Sequence, residues 1–281
     1  MKKKKILITG GTGFVGRNLI NLLDQYERYD IKIISRRNMP EKRFITGDLK
    51  NYSSIVMAFK DIDVVIHLAN SKNYPENISI MKNIADASKD NKIKKIIFIS
   101  SMSAKRSYPD DYGKSKILAE KILKKSGVNY TILRPSIIYG EGSTGFNFLI
   151  ERFDKIPFFT PIIGSGKYEI APVHVKNVIE SIEKTIDNKK TDRKEYDITG
   201  AEKISFVELV NFLKEETKNE KKNIYIPVWM CNMIAICFPR IIGRKNIKNV
   251  IEDSKLDIEG AKKDFGYNPI KFRDGVKNGL I

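Results

Sequence analysis

The sequence predicts an α/β protein built on a doubly wound parallel sheet. Three observations predict it: short apolar runs of strand character alternate with amphipathic stretches, a glycine-rich turn directly follows the first run, and the chain of 281 residues is 41% hydrophobic. Because parallel strands need crossover connections, helices should cover both faces of the sheet and a ligand should bind at the carboxyl ends of the strands. The length allows one large domain or a domain with a smaller lobe.

The predicted elements alternate along the first half of the chain. The predicted strands are Ile6–Thr9, Ile31–Ser35, Arg43–Thr46, Asp63–Leu68 and Lys95–Ser100. The predicted helices are one with Leu19, Ile20, Leu22 and Leu23 at helical spacing, then Ile78–Asp90 and Tyr112–Lys124. Beyond Arg134, Gly and Pro cluster at 140–145, 157–161 and 164–166, which is typical of substrate-binding loops.

Charge and composition argue against a nucleic-acid-binding protein, a secreted protein and a metal site. The formal net charge is +17, but the lysines are spread along the chain as AT-rich codon usage would spread them, and no nucleic-acid-binding motif accompanies them. We therefore expect no nucleic-acid partner, although an anionic substrate would benefit from the charge. The apolar run Ile6–Ile8 is too short for a signal-peptide core, which favours a cytoplasmic protein. Two scattered histidines, His67 and His174, make no metal-ligand set, so no metal is expected.

The most apolar window spans residues 224–242. Pro227 and Pro239 leave about a dozen residues between them, against about 20 needed to span a bilayer. We therefore expect a buried helix and no membrane span, with an interfacial or dimer surface as the alternative. Cys231 and Cys237 fit neither a redox pair nor a zinc set, and both are expected to be reduced packing residues.

The turn TGGTGFVG, between Thr9 and Gly16, is the clearest candidate site. Its glycines follow a strand and open a helix, where backbone N–H groups at a helix N-terminus can approach a pyrophosphate. The turn therefore predicts a dinucleotide cofactor. The expected contacts are Gly10, Thr12, Gly13, Phe14, Val15 and Gly16.

The end of the second strand predicts which dinucleotide binds. An acidic side chain there would bind the ribose 2′-hydroxyl of NAD, whereas arginine accommodates the 2′-phosphate of NADP. The strand ends in Ser35, Arg36 and Arg37, which favours NADP(H), with NAD(H) as the alternative if both arginines are solvated surface residues. Asp48, with Leu49 beside it, is either a contact to the adenine ring or a helix cap.

Tyr112 and Lys116, in YGKSK, form the candidate proton-transfer pair. Residues four apart share one helix face, and a nearby ammonium should lower the pKa of the Tyr112 phenol from about 10 towards the working pH. The same lysine can reach the nicotinamide ribose. Ser100, Ser101 and Ser103, at the end of the preceding strand, can hold a carbonyl oxygen beside the tyrosine or can be turn residues.

Several motifs, in this order, resemble the extended short-chain dehydrogenase/reductase superfamily, and most closely its NAD-dependent epimerase/dehydratase branch of nucleotide-sugar enzymes. They are TGGTGFVG, the Asp48 segment, IHLAN at 66–70, ISSMS, YGKSK, LRPSIIYG at 133–140 and DFGYNPIKFRDG at 264–275. The resemblance implies a Rossmann domain over residues 1–165, with returns near 170–187 and 195–199. It also implies a smaller substrate-binding lobe, mostly C-terminal, over residues 166–281.

The resemblance also implies roles for individual residues. Ser101 matches the catalytic hydroxyl, with Ser103 as the alternate, Tyr112 matches the acid/base and Lys116 its activator. The residues expected near the nicotinamide are Leu68, Ala69 and Pro135. A homodimer through the helix Tyr112–Lys124 is a further expectation.

One position departs from the family pattern. Nucleotide-sugar enzymes usually carry an arginine for the substrate's diphosphate where this chain has Ile170, and Lys167 or Arg152 are candidates to replace it. The segment around Pro172 and His174 also resembles an atypical branch related to a respiratory-complex accessory subunit, whose members can bind NADP without evident turnover.

The sequence leaves three functions open. The first is a nucleotide-sugar 4-ketoreductase or 4-epimerase, with net reduction favoured because an epimerase returns its hydride and gains nothing from a separate NADPH pool. The second is NADP-dependent reduction of a small non-sugar carbonyl, suggested by Ile170 and the apolar window. The third is a non-catalytic NADP-binding protein, against which the intact Tyr112 and Lys116 argue.

Overall fold

A computed structural model describes residues 3–143, 156, 158–237, 252–254 and 257–277. Its strands are β1 (Lys4–Thr9), β2 (Tyr29–Ser35), β3 (Phe44–Thr46), β4 (Val64–His67), β5 (Lys95–Ile99), β6 (Tyr130–Pro135), β7 (Ile138–Tyr139), β8 (Phe159–Ile163), β9 (Glu169–Ile170), β10 (Val173–His174), β11 (Lys194–Ile198), β12 (Ile204–Ser205) and β13 (Lys222–Ile226). Its helices are α1 (Phe14–Leu23), α2 (Tyr52–Ala58), α3 (Tyr74–Asp90), α4 (Asp111–Lys125), α5 (Val175–Ile186), α6 (Phe206–Glu216), α7 (Val228–Cys237), α8 (Glu259–Phe265) and α9 (Phe272–Lys277).

Seven parallel strands form the central sheet in the order β11-β6-β5-β4-β1-β2-β3. Helices α1 and α5 pack on one face, and helices α2, α3 and α4 pack on the other. The predicted doubly wound α/β class is confirmed. The strand order reverses between β1 and β4, where Thr9 lies opposite His67, and such a switch point is where open α/β sheets bind ligands.

Two helices differ from the sequence-based expectation. Helix α3 begins at Tyr74, earlier than the expected Ile78, because a proline in its first turn suits the helix start. Helix α2 was not expected, although Asn51 caps it by accepting a hydrogen bond from the Ser54 N–H at 3.3 Å. Asp48 is therefore not the helix cap that the sequence allowed, and its carboxylate instead accepts from the N–H of Lys50 at 3.0 Å.

The C-terminal part of the chain adds three short strand pairs: β7 with β10, β9 with β12, and β8 with β13. Helix α6 follows β12 and begins with a capping box, in which Ser205 and Glu208 satisfy each other's backbone N–H groups. Strand β11 returns to the central sheet beside β6. The domain boundary after residue 165 stays a prediction, since elements beyond it belong to both parts.

Helix α7 corrects the expectation of a buried helix in the window 224–242. Trp229 is 66% exposed and Met233 is 54% exposed, whereas Cys231 is 1% exposed and packs against Ile226. Of the side chains of this helix that the structure describes, Trp229 and Met233 face outward, so apolar composition alone overestimated the burial. Cys231 is a reduced packing residue, as expected. The side chain of Cys237 and residues 238–242 lie outside the described residues. None of the described helices is long and apolar enough to cross a bilayer.

Candidate active site

The glycine-rich turn is shaped for close backbone approach. Gly10 has φ of +73°, and a Cβ added to Gly16 would lie 2.3 Å from the carbonyl oxygen of Gly10. Helix α1 starts immediately after Gly13, which has no side chain to cap the N–H groups of the first turn. Those N–H groups and the exposed Thr12 fit the pyrophosphate of a dinucleotide.

The ends of β1 and β4 join this turn through hydrogen bonds. The Thr9 hydroxyl lies 2.7 Å from Nδ1 of His67 and accepts from the N–H of Ala69 at 3.3 Å. This bonding holds Leu68 and Ala69 against the turn, where the nicotinamide contacts are expected. Burial first, and the charge of Lys116 second, lower the pKa of His67 to about 3, so its imidazole is neutral.

The end of β2 presents two guanidiniums that are unpaired among the described residues. Ser35 accepts a hydrogen bond from the N–H of Arg37 at 3.1 Å, which turns the chain outward. Arg36 and Arg37 are exposed, and neither forms an ion pair with any residue that the structure describes. Asp48 and Leu49 lie just beyond β3, with Leu49 packed partly against the core.

Lys116 is buried between β5 and Tyr112. It is 4% exposed, and its ammonium donates to the carbonyl of Ile99 at 3.1 Å and lies 5.6 Å from the centre of the Tyr112 ring. Burial lowers the pKa of Lys116 to about 8, whereas the carboxylate of Glu120 acts to raise it. This lysine is therefore poised to change its charge near neutral pH.

The pKa of Tyr112 is raised, which corrects the expectation that Lys116 lowers it. Burial is the largest cause, and Tyr74 and Asp110 act in the same direction, while the Ser101 hydroxyl acts to lower the pKa. The ammonium of Lys116 is instead directed at the carbonyl of Ile99, so burial prevails over any effect of its charge.

Among the candidate serines, Ser101 is the one that acts to lower the pKa of Tyr112. Its hydroxyl also accepts from the N–H of Ser103 at 3.1 Å and so caps the 3-10 turn Met102–Lys105. Ser100 faces away and donates to the buried carboxylate of Glu120.

A buried network of ion pairs lies next to Lys116 and links α4 to β6. Glu120 accepts two hydrogen bonds from Arg134, at 2.8 and 2.6 Å, and Arg134 also pairs with Glu195. Because Arg134 precedes Pro135 on β6, this network fixes the end of β6 relative to α4. Sequence reasoning had no signal for the network beyond the residue types themselves.

A cavity of about 400 Å³ opens beside Ser101. Pro135 and Ile170 line it, so Ile170 does lie at the candidate substrate site. Lys167 is exposed and is not among the residues that line the cavity, and its role as a replacement for the missing arginine stays a prediction. Arg152 lies outside the described residues.

Three polar residues of the cavity escaped the sequence reasoning. Arg106, Tyr168 and Glu252 come from three distant segments and meet only in the fold. The pair of basic residues directly after SSMSA was the one local signal that could have drawn attention to Arg106.

The two histidines belong to the framework of the fold. His174 accepts a hydrogen bond from the N–H of Lys176 at 3.2 Å and caps α5, and His67 is bonded to Thr9. Across the described residues, no group of three His, Cys, Asp or Glu is placed to hold a metal ion.

These features agree with a family comparison. Residues 6–199 match the model of the NAD dependent epimerase/dehydratase family. The chain belongs to this family. It is accordingly a member of an enzyme family for which NAD(H) is the typical cofactor.

Individual relatives show how broad this family is. UDP-glucose 4-epimerase of Vibrio cholerae is 27% identical over 95% of this chain and 91% of its own length. Subunit 9 of the NADH dehydrogenase 1 alpha subcomplex of Dictyostelium discoideum is 25% identical over 79% of this chain and 66% of its own length. The structure of UDP-glucuronic acid 4-epimerase from Bacillus cereus in complex with NAD shares the fold, with a TM-score of 0.75, 21% identity and coverage of 97% of this chain and 96% of that one.

Proposed function

We propose that this enzyme acts at C4 of a nucleotide sugar, as a 4-ketoreductase or 4-epimerase, with NADP(H) as the preferred cofactor. The observation that carries the proposal is the buried Lys116, whose ammonium lies 5.6 Å from the centre of the Tyr112 ring, next to Ser101 at the edge of a cavity. The similarity to a UDP-glucose 4-epimerase along almost the whole chain supports a nucleotide sugar as the substrate.

Each residue of this set has a separate task. Tyr112 transfers the proton of the substrate oxygen, Ser101 holds that oxygen, and Lys116 supplies positive charge near the phenol. A nicotinamide cofactor held at the glycine-rich turn would supply the hydride chemistry. Because burial raises the pKa of Tyr112, the phenol is protonated at neutral pH and can donate its proton to the substrate oxygen.

The preference for NADP(H) rests on the exposed, unpaired Arg36 and Arg37. Calorimetric titration with NADPH, NADH and their oxidised forms tests it. The Arg36→Ala, Arg37→Ala double variant should bind NADPH at least about tenfold more weakly, because two charged hydrogen bonds are lost, and should bind NADH unchanged. The matched control is the Lys60→Ala, Lys121→Ala variant, which removes two exposed charges elsewhere. Equal or tighter binding of NADH by the wild type would show the preference to be wrong.

The reaction is tested with purified enzyme and each cofactor. A ketoreductase consumes NADPH when a UDP-4-keto sugar is supplied, whereas an epimerase interconverts UDP-glucose and UDP-galactose without net consumption of cofactor. Turnover of neither substrate type would contradict the proposal.

A second candidate function is reduction of a small non-sugar carbonyl. Ile170, Ile137 and Leu209 give the cavity an apolar surface that such a substrate would fit. Reduction of an apolar ketone, with no turnover of nucleotide sugars, would place this function first.

A further inference from the structure

The cavity beside Ser101 contains Arg106, a cation to which the described residues supply no partner. Arg106 lines the cavity and is half-buried, yet it forms no hydrogen bond or ion pair with any described residue. Burial lowers the pKa of its guanidinium, and the negative charges of Glu252 and Asp110 only partly oppose this effect. An unpaired guanidinium in such a position costs folding free energy unless a ligand completes its hydrogen bonds.

Two more polar groups of the same cavity also lack partners among the residues that the structure describes. Tyr168 is 7% exposed, and its hydroxyl has no hydrogen-bond partner within the described part of the chain, although its ring stacks on Phe206 at 5.1 Å. Glu252 accepts two hydrogen bonds from Ser107 through one carboxylate oxygen, while the other oxygen is buried and unbonded among the described residues. Because nearly all buried polar groups in proteins are bonded, this concentration in one cavity indicates a ligand site.

The other basic residue of the cavity is already neutralised. Lys105 donates to the buried carboxylate of Asp197 at 2.7 Å. Asp253, on the opposite side, accepts from the N–H of Glu169 at 2.8 Å. Arg106 is therefore the cation that remains free for a ligand among the described lining residues.

We propose that Arg106 and Tyr168 bind an oxyanion of the substrate, either a phosphate of its diphosphate or a carboxylate on its sugar. Arginine presents parallel N–H donors that match two oxygens of such a group, and the Tyr168 hydroxyl adds a third donor. Ser101 lines the same cavity, so the anion and the reacting carbon belong to one substrate molecule. The free oxygen of Glu252 accepts a substrate hydroxyl. The site thus replaces the arginine that is absent at Ile170, and it rests on the proposed nucleotide-sugar substrate.

The test is calorimetric titration of the full-length, NADPH-loaded protein. The probes are inorganic pyrophosphate, UDP-glucose and UDP-glucuronate. If the oxyanion is a phosphate, Arg106→Ala weakens binding of all three at least about tenfold, as expected for the loss of charged hydrogen bonds. If it is a sugar carboxylate, only UDP-glucuronate loses this factor. Tyr168→Phe should weaken the same probes by a smaller factor, and Lys60→Ala, an exposed charge outside the cavity, should change none.

Two further variants test the charge assignment. Arg106→Lys should recover part of the affinity, because it keeps the charge but not the paired donors. Glu252→Gln should tighten pyrophosphate binding a few-fold, because it removes the negative charge that faces Arg106. Melting temperatures of the variants, measured alongside, separate a lost ligand contact from a damaged fold.

The outcomes distinguish this site from the proposed function. Unchanged binding of all probes in Arg106→Ala, or no binding by the wild type, would overturn the site. If nucleotide sugars are turned over and Arg106→Ala leaves KM unchanged, the function stands and the site is wrong. If Arg106→Ala weakens anion binding but no nucleotide sugar is turned over, the anion site stands and the proposed function is wrong.

Discussion

The two sides of the candidate active site differ in how their buried and half-buried polar groups are bonded. On the cofactor side, His67 is bonded to Thr9 and Lys116 to the carbonyl of Ile99, and below them Glu120 is paired with Arg134. On the cavity side, the described groups Arg106, Tyr168 and Glu252 each leave a buried or half-buried polar group without a partner.

This difference indicates that the cofactor side positions the catalytic groups and that the cavity side recognises the substrate. A buried polar group that is bonded inside the protein is held in one orientation, so the cofactor side is preorganised for proton transfer. A polar group without an internal partner is stabilised only when a ligand bonds it, so the cavity side selects the substrate. Variants on the first side should therefore change kcat or stability, and variants on the second should change KM.

The largest expected effect is that of Tyr112→Phe. Loss of the phenol removes the proton donor, and general acid–base catalysis contributes about 10²–10⁴-fold, so kcat should fall by that factor. Substrate and cofactor affinities should change little. Steady-state kinetics with the substrate found in the assays above measures both parameters.

Tyrosines elsewhere provide the matched comparison. Tyr168→Phe, on the cavity side, should raise KM and leave kcat nearly unchanged, and Tyr225→Phe, at an exposed position, should change neither. Turnover that survives Tyr112→Phe would remove Tyr112 from its role. If no activity is found in the wild type with any carbonyl substrate, the non-catalytic alternative gains support.

The next effect concerns stability and compares three arginines. Arg134→Met leaves the buried Glu120 with Ser100 as its remaining hydrogen-bond partner, and breaking a buried pair costs about 3–5 kcal/mol. Arg43→Met breaks an exposed pair with Asp24 and should cost about 1 kcal/mol or less. Arg106→Met removes an unpaired cation and should be neutral or stabilising. Urea unfolding measures all three.

A single result would undo the comparison between the two sides. If Arg106→Met destabilises the protein as much as Arg134→Met, then Arg106 has an internal partner and the cavity side is as preorganised as the cofactor side.

Features that depend on neighbouring residues could be predicted from the sequence. The turn between Thr9 and Gly16 follows a strand and opens a helix, and residue spacing places Tyr112 and Lys116 on one face of α4. Both inferences need only local periodicity and the size of glycine. The alternation of strands and helices predicts the parallel sheet for the same reason.

Features that depend on burial could not be predicted in this way. The sequence placed Lys116 near Tyr112, but it could not show that burial would raise the pKa of the phenol. Apolar composition predicted a buried α7, but only packing decides that Trp229 is exposed. Arg106 and Tyr168 are distant in the chain, and no pattern of spacing relates them.

The smallest effect in this series concerns Lys116, and it tests whether burying this catalytic candidate lowers the stability of the protein. Lys116 has a pKa lowered to about 8 from an ordinary value of 10.5, so folding favours its neutral form. Below about pH 8 Lys116 is charged in both the folded and the unfolded chain, so the free-energy cost of burying the ammonium is fully present. Between about pH 8 and 10.5 the folded chain has lost this proton while the unfolded chain still holds it, so the free energy of unfolding rises with pH and the cost is progressively lost. Lys116→Met should therefore stabilise the protein at pH 7, by at most about 3 kcal/mol less the lost bond to Ile99. Urea unfolding of the wild type and of Lys116→Met at pH 7 and pH 10 measures the difference in their free energies of unfolding, which should shrink at the higher pH.

A variant that is less stable than the wild type at pH 7, and no different at pH 10, would mean that the buried ammonium stabilises the fold. The proposed contrast between the cofactor side and the cavity side would then be wrong.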